Sequence, residues 1–243
     1  MTTLFAALHV YHDDSPHSAA MNMAIDQAIL EAAVVPTIRF YRWCSPALSF
    51  GYFGKFSDVA IYAAERDLVR RWTGGGIVFH GGDLTYSIVI PASDAAFRES
   101  SMSIYENVHH ALRDALIANG KHAKLSPADA LYGGRQSRKA GLQIAPAVAD
   151  RCSSNNDCFA NPVRADVMID GRKIAGAAQR RTRRGLLQQG SVQGFTMKTD
   201  LAQKFAQALS ANCSEFEFNE EIFRRARELA QEKYGTESWL KKR

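Results

Sequence analysis

Three consecutive glycines, Gly74–Gly76, stand between Arg70-Arg71 and the segment IVFH. The element that such a turn leads into decides the fold. A P-loop needs GxxxxGK[ST], which is absent, and a dinucleotide-binding turn leads into a helix. Here the glycines lead into a predicted strand, then a Gly81-Gly82-Asp83 turn, then LTYSIVIP, where Leu84, Tyr86, Ile88 and Ile90 alternate. This strand–turn–strand setting excludes both nucleotide folds and puts the motif on a sheet. Glycine lets a backbone approach a ligand closely, and successive N–H groups can form an anion nest. The adjacent guanidinium groups can clamp a carboxylate or phosphate. On glycine count alone, a β-turn beside two surface arginines reads as well.

A second hairpin is written in VRADVMIDGRKIAGAAQRR. Asp170-Gly171 between alternating segments is a strong two-residue turn signal. With that loop, Ile169 faces Arg172, Met168 faces Lys173 and Asp166 faces Ala175. Asp166 and Lys173 then share a face as diagonal neighbours, their Cα atoms about 7–8 Å apart. A strand lysine commonly faces solvent. Ala175, Gly176, Ala177 and Ala178 leave space above the sheet, as a ligand tunnel needs.

Helical spacing of Met21, Ile25, Ala28, Ile29 and Ala32 after Ser18 predicts an early capped helix. TIRFYRW and PALSFGYF read as strands. Ser103–Glu106 has capping-box spacing and opens a helix with Ile104, Val108, Ala111, Leu112 and Ala115 on one face, closed at Asn119-Gly120. Ser126–Asp157 has weak periodicity, and a loop of that length is a lid or a surface excursion. Beyond Asp200, Leu201, Phe205, Ala208 and Leu209 form a stripe, and Asn219 caps an acid-first helix ending near Gly235. Helices bracketing a strand-rich middle predict an α+β fold with a mostly antiparallel sheet, in a single domain over 1–243.

Composition narrows the class. Apolar residues are 46% and charged residues 23% of the 243, which fits a globular core and excludes global disorder. No apolar run reaches the roughly 18 residues of a membrane span, and the N-terminus lacks a signal-peptide pattern. Cys44, Cys152, Cys158 and Cys213 form no CxxC pair, which fits reduced thiols in a cytoplasm and not a structural zinc site. The net charge of +5 is concentrated in RRTRRG and the terminal KKR. That is a solvated face or a surface for an acidic partner. Aromatics are not interleaved there as a base-stacking surface would require, so nucleic acid is not indicated.

RRWTGGGIVFH resembles the RR-[ST]-GGG-x-V-x-H signature of the lipoate–protein ligase family, and the likeness runs from MNMAIDQAIL through PALSFGYF to GSVQG. That family is related in fold to biotin–protein ligases and to class II aminoacyl-tRNA synthetase cores. The resemblance implies an enzyme that attaches lipoyl-type acyl groups to protein lysines. GRKIAGAAQ is similar to the family segment bearing its catalytic lysine, which puts that role on Lys173. By the same residue-by-residue match, Asp166 helps hold Mg²⁺, and Arg71 and His80 border the acyl pocket beside Gly74, Gly75 and Gly76. Val78 and Phe79 would border adenine.

Two chemistries run on this scaffold. Ligases use ATP and Mg²⁺ to make an acyl-adenylate from lipoate or octanoate. Octanoyltransferases take octanoate from acyl carrier protein through a cysteine thioester and need no cofactor. Their nucleophile sits in a Cys-Phe pair before the lysine hairpin, and DCFANP supplies Cys158 there. A nearby Lys173 would favour its thiolate. Against that, TGGGIVFH is nearer the ligase string than the TGGRAVLH of transferases, and this favours the ligase. Known ligases carry a C-terminal accessory domain that this chain lacks, so a separate accessory subunit is expected. The implied acceptors are apo lipoyl domains of 2-oxoacid dehydrogenase E2 subunits and the glycine-cleavage H protein. A non-catalytic module or an RNA-binding relative is the remaining alternative, disfavoured by the retained Lys173, Asp166 and TGGG.

Overall fold

The computed structural model describes residues 3–127, 159, 162–194 and 200–242. Most of the Ser126–Asp157 excursion, with Cys152 and Cys158, lies outside them. In chain order the elements are β1 (Leu8–His17), α1 (Ala19–Ala32), β2 (Thr37–Trp43), β3 (Ala47–Phe50), β4 (Asp67–Arg70) and β5 (Ile77–His80). Then come β6 (Leu84–Pro91), α2 (Ser101–Ala118), β7 (Ala123–Leu125), β8 (Val167–Ile169), β9 (Arg172–Arg181) and β10 (Gly185–Val192). The last are α3 (Leu201–Leu209), β11 (Cys213–Glu215), α4 (Glu220–Leu229) and α5 (Glu237–Leu240).

Eight strands make one sheet in the order β11-β1-β2-β6-β10-β9-β8-β7, and β4-β3-β5 make a smaller one. The large sheet is antiparallel from β2 to β7, as expected, but β11, β1 and β2 run parallel. Strand alternation assigns the two faces. Tyr86, Ile88 and Ile90 of β6 pack with Ile104, Val108 and Leu112 of α2 and Phe205 of α3. Val89, between them, packs with Leu187 and with Ile25 and Ile29 of α1, which α4 covers through Ile222 and Ala226. Helices therefore flank both faces of the sheet. No helix among the described residues is long and apolar enough to cross a membrane.

Local signals set most helix ends. Ser18 accepts from the Met21 N–H, and Asn219 from the Ile222 N–H. For α2 the cap is Ser100, which accepts from the Ser103 N–H at 3.0 Å, so the helix starts before the Ser103–Glu106 box. Ser103 instead donates to Glu99, and Glu106 pairs with Arg164.

Two buried arginines join distant segments. Arg39 is fully buried between Asp13 and Asp26, at 2.7 and 2.8 Å, and also donates to Asn22. Asp26 receives Ser87 and Gln189 as well, which ties α1 to the middle of the sheet. Arg70 donates to the carbonyls of Tyr52, Gly54, Trp239, Leu240 and Lys242. It is an anchor for the C-terminal segment. Both expectations for Arg70 and Arg71, a joint anion clamp or two surface arginines, are thereby corrected. Both are buried, and Arg70 turns to the C-terminal segment while Arg71 turns to Ser49 and the glycine loop.

Candidate active site

The Asp170-Gly171 turn forms as the sequence predicts, with φ of +48° and +75°. Ile169 faces Arg172 and Met168 faces Lys173, but Val167, not Asp166, then faces Ala175. Ile174 is the extra residue of a β-bulge, and bulges re-aim side chains. Asp166 is released from the ladder and its Oδ2 lies 2.8 Å from Lys173 Nζ, with side chains 0% and 3% exposed. Lys173 is thus a buried ion-pair partner and does not face solvent. It folds back over Gly176. A Cβ at that position would stand 2.6 Å from Lys173 Cε and 2.8 Å from Nζ. The small residues do leave space above the sheet, and at Gly176 the lysine takes it.

Asp166 carries more partners than the sequence shows. Its Oδ1 accepts from Tyr105 Oη at 2.5 Å and its Oδ2 from the Val163 N–H at 2.6 Å. Mg²⁺ requires an octahedral shell of oxygens with several open positions. Both Asp166 oxygens are engaged by protein donors, and no group of three His, Cys, Asp or Glu side chains is placed for a metal among the described residues. Asp166 is thus a single carboxylate held by two protein donors and an ion pair.

Beside the lysine lies a small, largely apolar cavity between β9–β10 and the small sheet. Gly176, Ala177 and Ala178 line it from β9, Met23, Tyr41 and Gln189 line it from α1, β2 and β10, and Val78, His80 and Arg71 line the side of the glycine motif. Phe159, the residue after Cys158, also lines it, with Lys173 Nζ 5.6 Å from its ring centroid. Cys158 itself falls outside the described residues. Phe79 faces away, packed on Tyr62 at 5.2 Å and under Arg66 at 5.0 Å, so of the Val78-Phe79 pair only Val78 borders the cavity.

The glycine loop is held from within. Arg71 donates to the carbonyls of Gly74 and Gly76 at 3.0 and 2.8 Å and to Ser49 Oγ at 2.6 Å. Gly75 takes φ +84°, and a Cβ on neighbouring Gly51 would stand 2.1 Å from its carbonyl oxygen. Beyond Ser49 the chain of bonds continues to His80 Nε2 at 2.7 Å and from His80 Nδ1 to Asp83 at 2.8 Å. Burial lowers the His80 pKa against the pull of Asp83, so the ring stays neutral and its Nδ1–H donates. Burial would raise the Asp83 carboxyl, but donors from His80, the Gly81 N–H and Ser191 outweigh it and bring it to about 2. Ser49, His80 and Asp83 are connected like a hydrolytic triad. Ser49 is fully buried, however, and its oxygen already accepts from Arg71. The arrangement is a polar wall rather than a nucleophile.

A sequence profile of the lipoyl protein ligase A/B catalytic domain matches residues 18–229. The chain belongs to that family. An octanoyltransferase LipM of Oceanobacillus iheyensis is 35% identical over 189 residues, 74% of this chain and 62% of that protein. The LipM of Kyrpidia tusciae is 36% identical over 183 residues, 72% and 62%. This chain thus spans about three-fifths of the length of the curated relatives it matches. Among solved structures, a bi-partite lipoate protein ligase from Thermoplasma acidophilum, described with its E2 lipoyl domain, aligns with TM-score 0.69 at 21% identity. That alignment covers 96% of this chain and 95% of the other. A lipoate-protein ligase A bound with ATP gives 0.68 at 22%, covering 97% and 98%. These structures share the fold of the ligase A/B catalytic domain.

Sequence reasoning missed Tyr105, His109, Ser49 and Asp83 as site residues. Tyr105 and His109 sit beside the apolar stripe of α2, where an aromatic and a buried imidazole look like core. Ser49 becomes visible only through the β3–β5 register, which sets it opposite Val78 and next to His80. Asp83 had a signal, since it stands three residues after His80 across a glycine turn.

Proposed function

We propose that this catalytic domain is an octanoyltransferase, moving a medium-length acyl group from a carrier thioester to a lysine of a lipoyl-type acceptor protein through Cys158. The observation that carries the reading is Phe159: the residue bonded to Cys158 lines the apolar cavity beside the Lys173 ammonium. Two facts support it. Relatives at 31–36% identity bear the octanoyltransferase name, and the Asp166 carboxylate is already engaged by Tyr105, the Val163 N–H and Lys173. The sequence preference for a ligase rested on the glycine string, and in this fold that string holds Arg71 and the cavity wall.

The chemistry balances without a cofactor. Cys158 Sγ, as thiolate, attacks the carbonyl of the donor thioester; the carrier sulfur leaves as a thiol, taking the proton that Cys158 gave up. The acceptor's neutral amine then attacks the new thioester, an amide forms, and the departing Cys158 sulfur regains a proton. Each step passes through an oxyanion. Lys173 supplies the positive charge for it, and removing such a donor typically costs about 3–4 kcal/mol in the transition state. Thiolate formation is likewise favoured by a neighbouring ammonium. The cavity holds the acyl chain, and Arg71, Val78 and His80 define its glycine-motif side.

The test offers apo-acceptor either octanoyl-carrier without ATP, or octanoate or lipoate with Mg·ATP. The expected product forms from octanoyl-carrier alone and is lost in Cys158→Ser. Strict ATP dependence with an active Cys158→Ser enzyme would restore the ligase.

A further inference from the structure

Asp166 is held from two sides by one face of α2. Tyr105 donates to its Oδ1 at 2.5 Å and in turn accepts from the Ala177 N–H at 3.3 Å. One turn later, His109 Nδ1 donates to the carbonyl of Ala165 at 2.7 Å. Ala165 stands immediately before Asp166 with φ +64°, a left-handed conformation that a residue with a Cβ adopts only under constraint. The two rings meet edge to face, 4.1 Å apart. His109 is fully buried, and its Nδ1 is spent on the strained Ala165 carbonyl.

We propose that Tyr105 and His109 are positioning residues for Lys173, acting through Asp166. This rests on the reading that Lys173 stabilises the acyl-transfer oxyanion. Tyr105 fixes the carboxylate's orientation, and His109 fixes the backbone that carries it. A lysine ammonium has a flexible stem and many rotamers; the oxyanion needs it in one place. Since Asp166 is its ion-pair partner, the precision of Lys173 is set on α2, some sixty residues away in sequence. Tyr105 meets the cavity wall only through the long bond from the Ala177 N–H at 3.3 Å, and a phenylalanine ring keeps its packing, so donor binding is expected to change little when the hydroxyl is removed.

The experiment measures octanoyl transfer from octanoyl-carrier in wild type, Tyr105→Phe, Asp166→Asn and the double variant, with each fold checked by circular dichroism. Tyr105→Phe is expected to lower kcat roughly 10-fold, as small misplacements of a catalytic group do, while KM for the donor changes less than about two-fold. In the Asp166→Asn background the Tyr105→Phe effect is expected to vanish, because the pair acts as one unit. Equal losses in both backgrounds would overturn the proposal. So would an unchanged kcat in Tyr105→Phe. For His109, Asn places a donor near the Nδ1 position, so His109→Asn is expected to keep most of kcat while His109→Leu loses it. Equal activity of those two would refute the part assigned to His109. Full activity of Lys173→Ala would remove the underlying reading, whereas the Tyr105 and His109 outcomes bear on positioning alone.

Discussion

The Lys173 ammonium and the Asp166 carboxylate form a buried pair, and the two halves differ in what their loss does. Truncating Lys173 removes a transition-state donor and leaves an uncompensated buried carboxylate, which costs about 3–5 kcal/mol of stability. Lys173→Met should therefore melt well below wild type, and adding Asp166→Asn should recover most of the lost melting temperature while activity stays absent. Thermal denaturation monitored by circular dichroism checks it. Gly176 gives a second test at the same scale. Its alanine variant puts a methyl within 2.6 Å of Lys173 Cε, and the flexible lysine end must move. Transfer is expected to fall 10-fold or more, on the order of the penalty for a misplaced group, with stability changed by only about 1–2 kcal/mol. Unchanged turnover would show that the lysine's place over Gly176 is immaterial.

Among the elements, the β8–β9 hairpin shows how much of the site was legible. Its turn was readable because Asp-Gly adopts positive φ by local preference. The first two pairs were readable because a two-residue loop fixes them. The bulge at Ile174 was not, since it depends on where Tyr105 and the Val163 N–H draw Asp166. The α2 start was misjudged by one turn for a related reason: Ser100 and Ser103 both suit a cap, and the one that caps is settled by the packing of Ile104 and Val108. At the parallel β11–β1–β2 edge, β11 pairs with a strand some two hundred residues away, for which periodicity holds no signal. Arg70 belongs at this scale too. It gathers five carbonyls from the β3–β4 connection and the α5 region. Lysine cannot reproduce that fork. Arg70→Lys is expected to expose the C-terminal segment to proteolysis and to cost about 2–4 kcal/mol; a protease-resistant tail in that variant would contradict the anchor.

For the whole molecule, the buried polar groups make folding sensitive to acid in a defined order. Burial lowers the His109 pKa to about 4 from 6.5, overriding the pull of Asp166 and the Ala165 carbonyl. The unfolded chain therefore binds a proton below pH 6.5 that the folded chain refuses until about pH 4. Stability is complete above pH 6.5 and falls as the pH drops through that window, by on the order of 3 kcal/mol from this group. Asp83 adds a second loss at lower pH, as its carboxylate takes a proton between 3.8 and about 2. Urea unfolding at pH 7, 5.5 and 4.5 should show the His109 contribution, and His109→Asn should flatten the curve across it. An unchanged slope in that variant would contradict the assignment.

The fold class, the family and the Asp170-Gly171 turn were all legible from the string, because glycine turns and strand alternation are local. The choice of acyl activation was not, because it depends on which groups meet across the cavity. Intact mass spectrometry of the wild-type protein incubated with octanoyl-carrier, without ATP or acceptor, addresses that choice most directly. One octanoyl adduct is expected, of about 126 Da, the mass that replaces a thiol hydrogen on acylation, located on Cys158 and discharged when apo-acceptor is added. No adduct without ATP, or an adduct that Cys158→Ser retains, would contradict it.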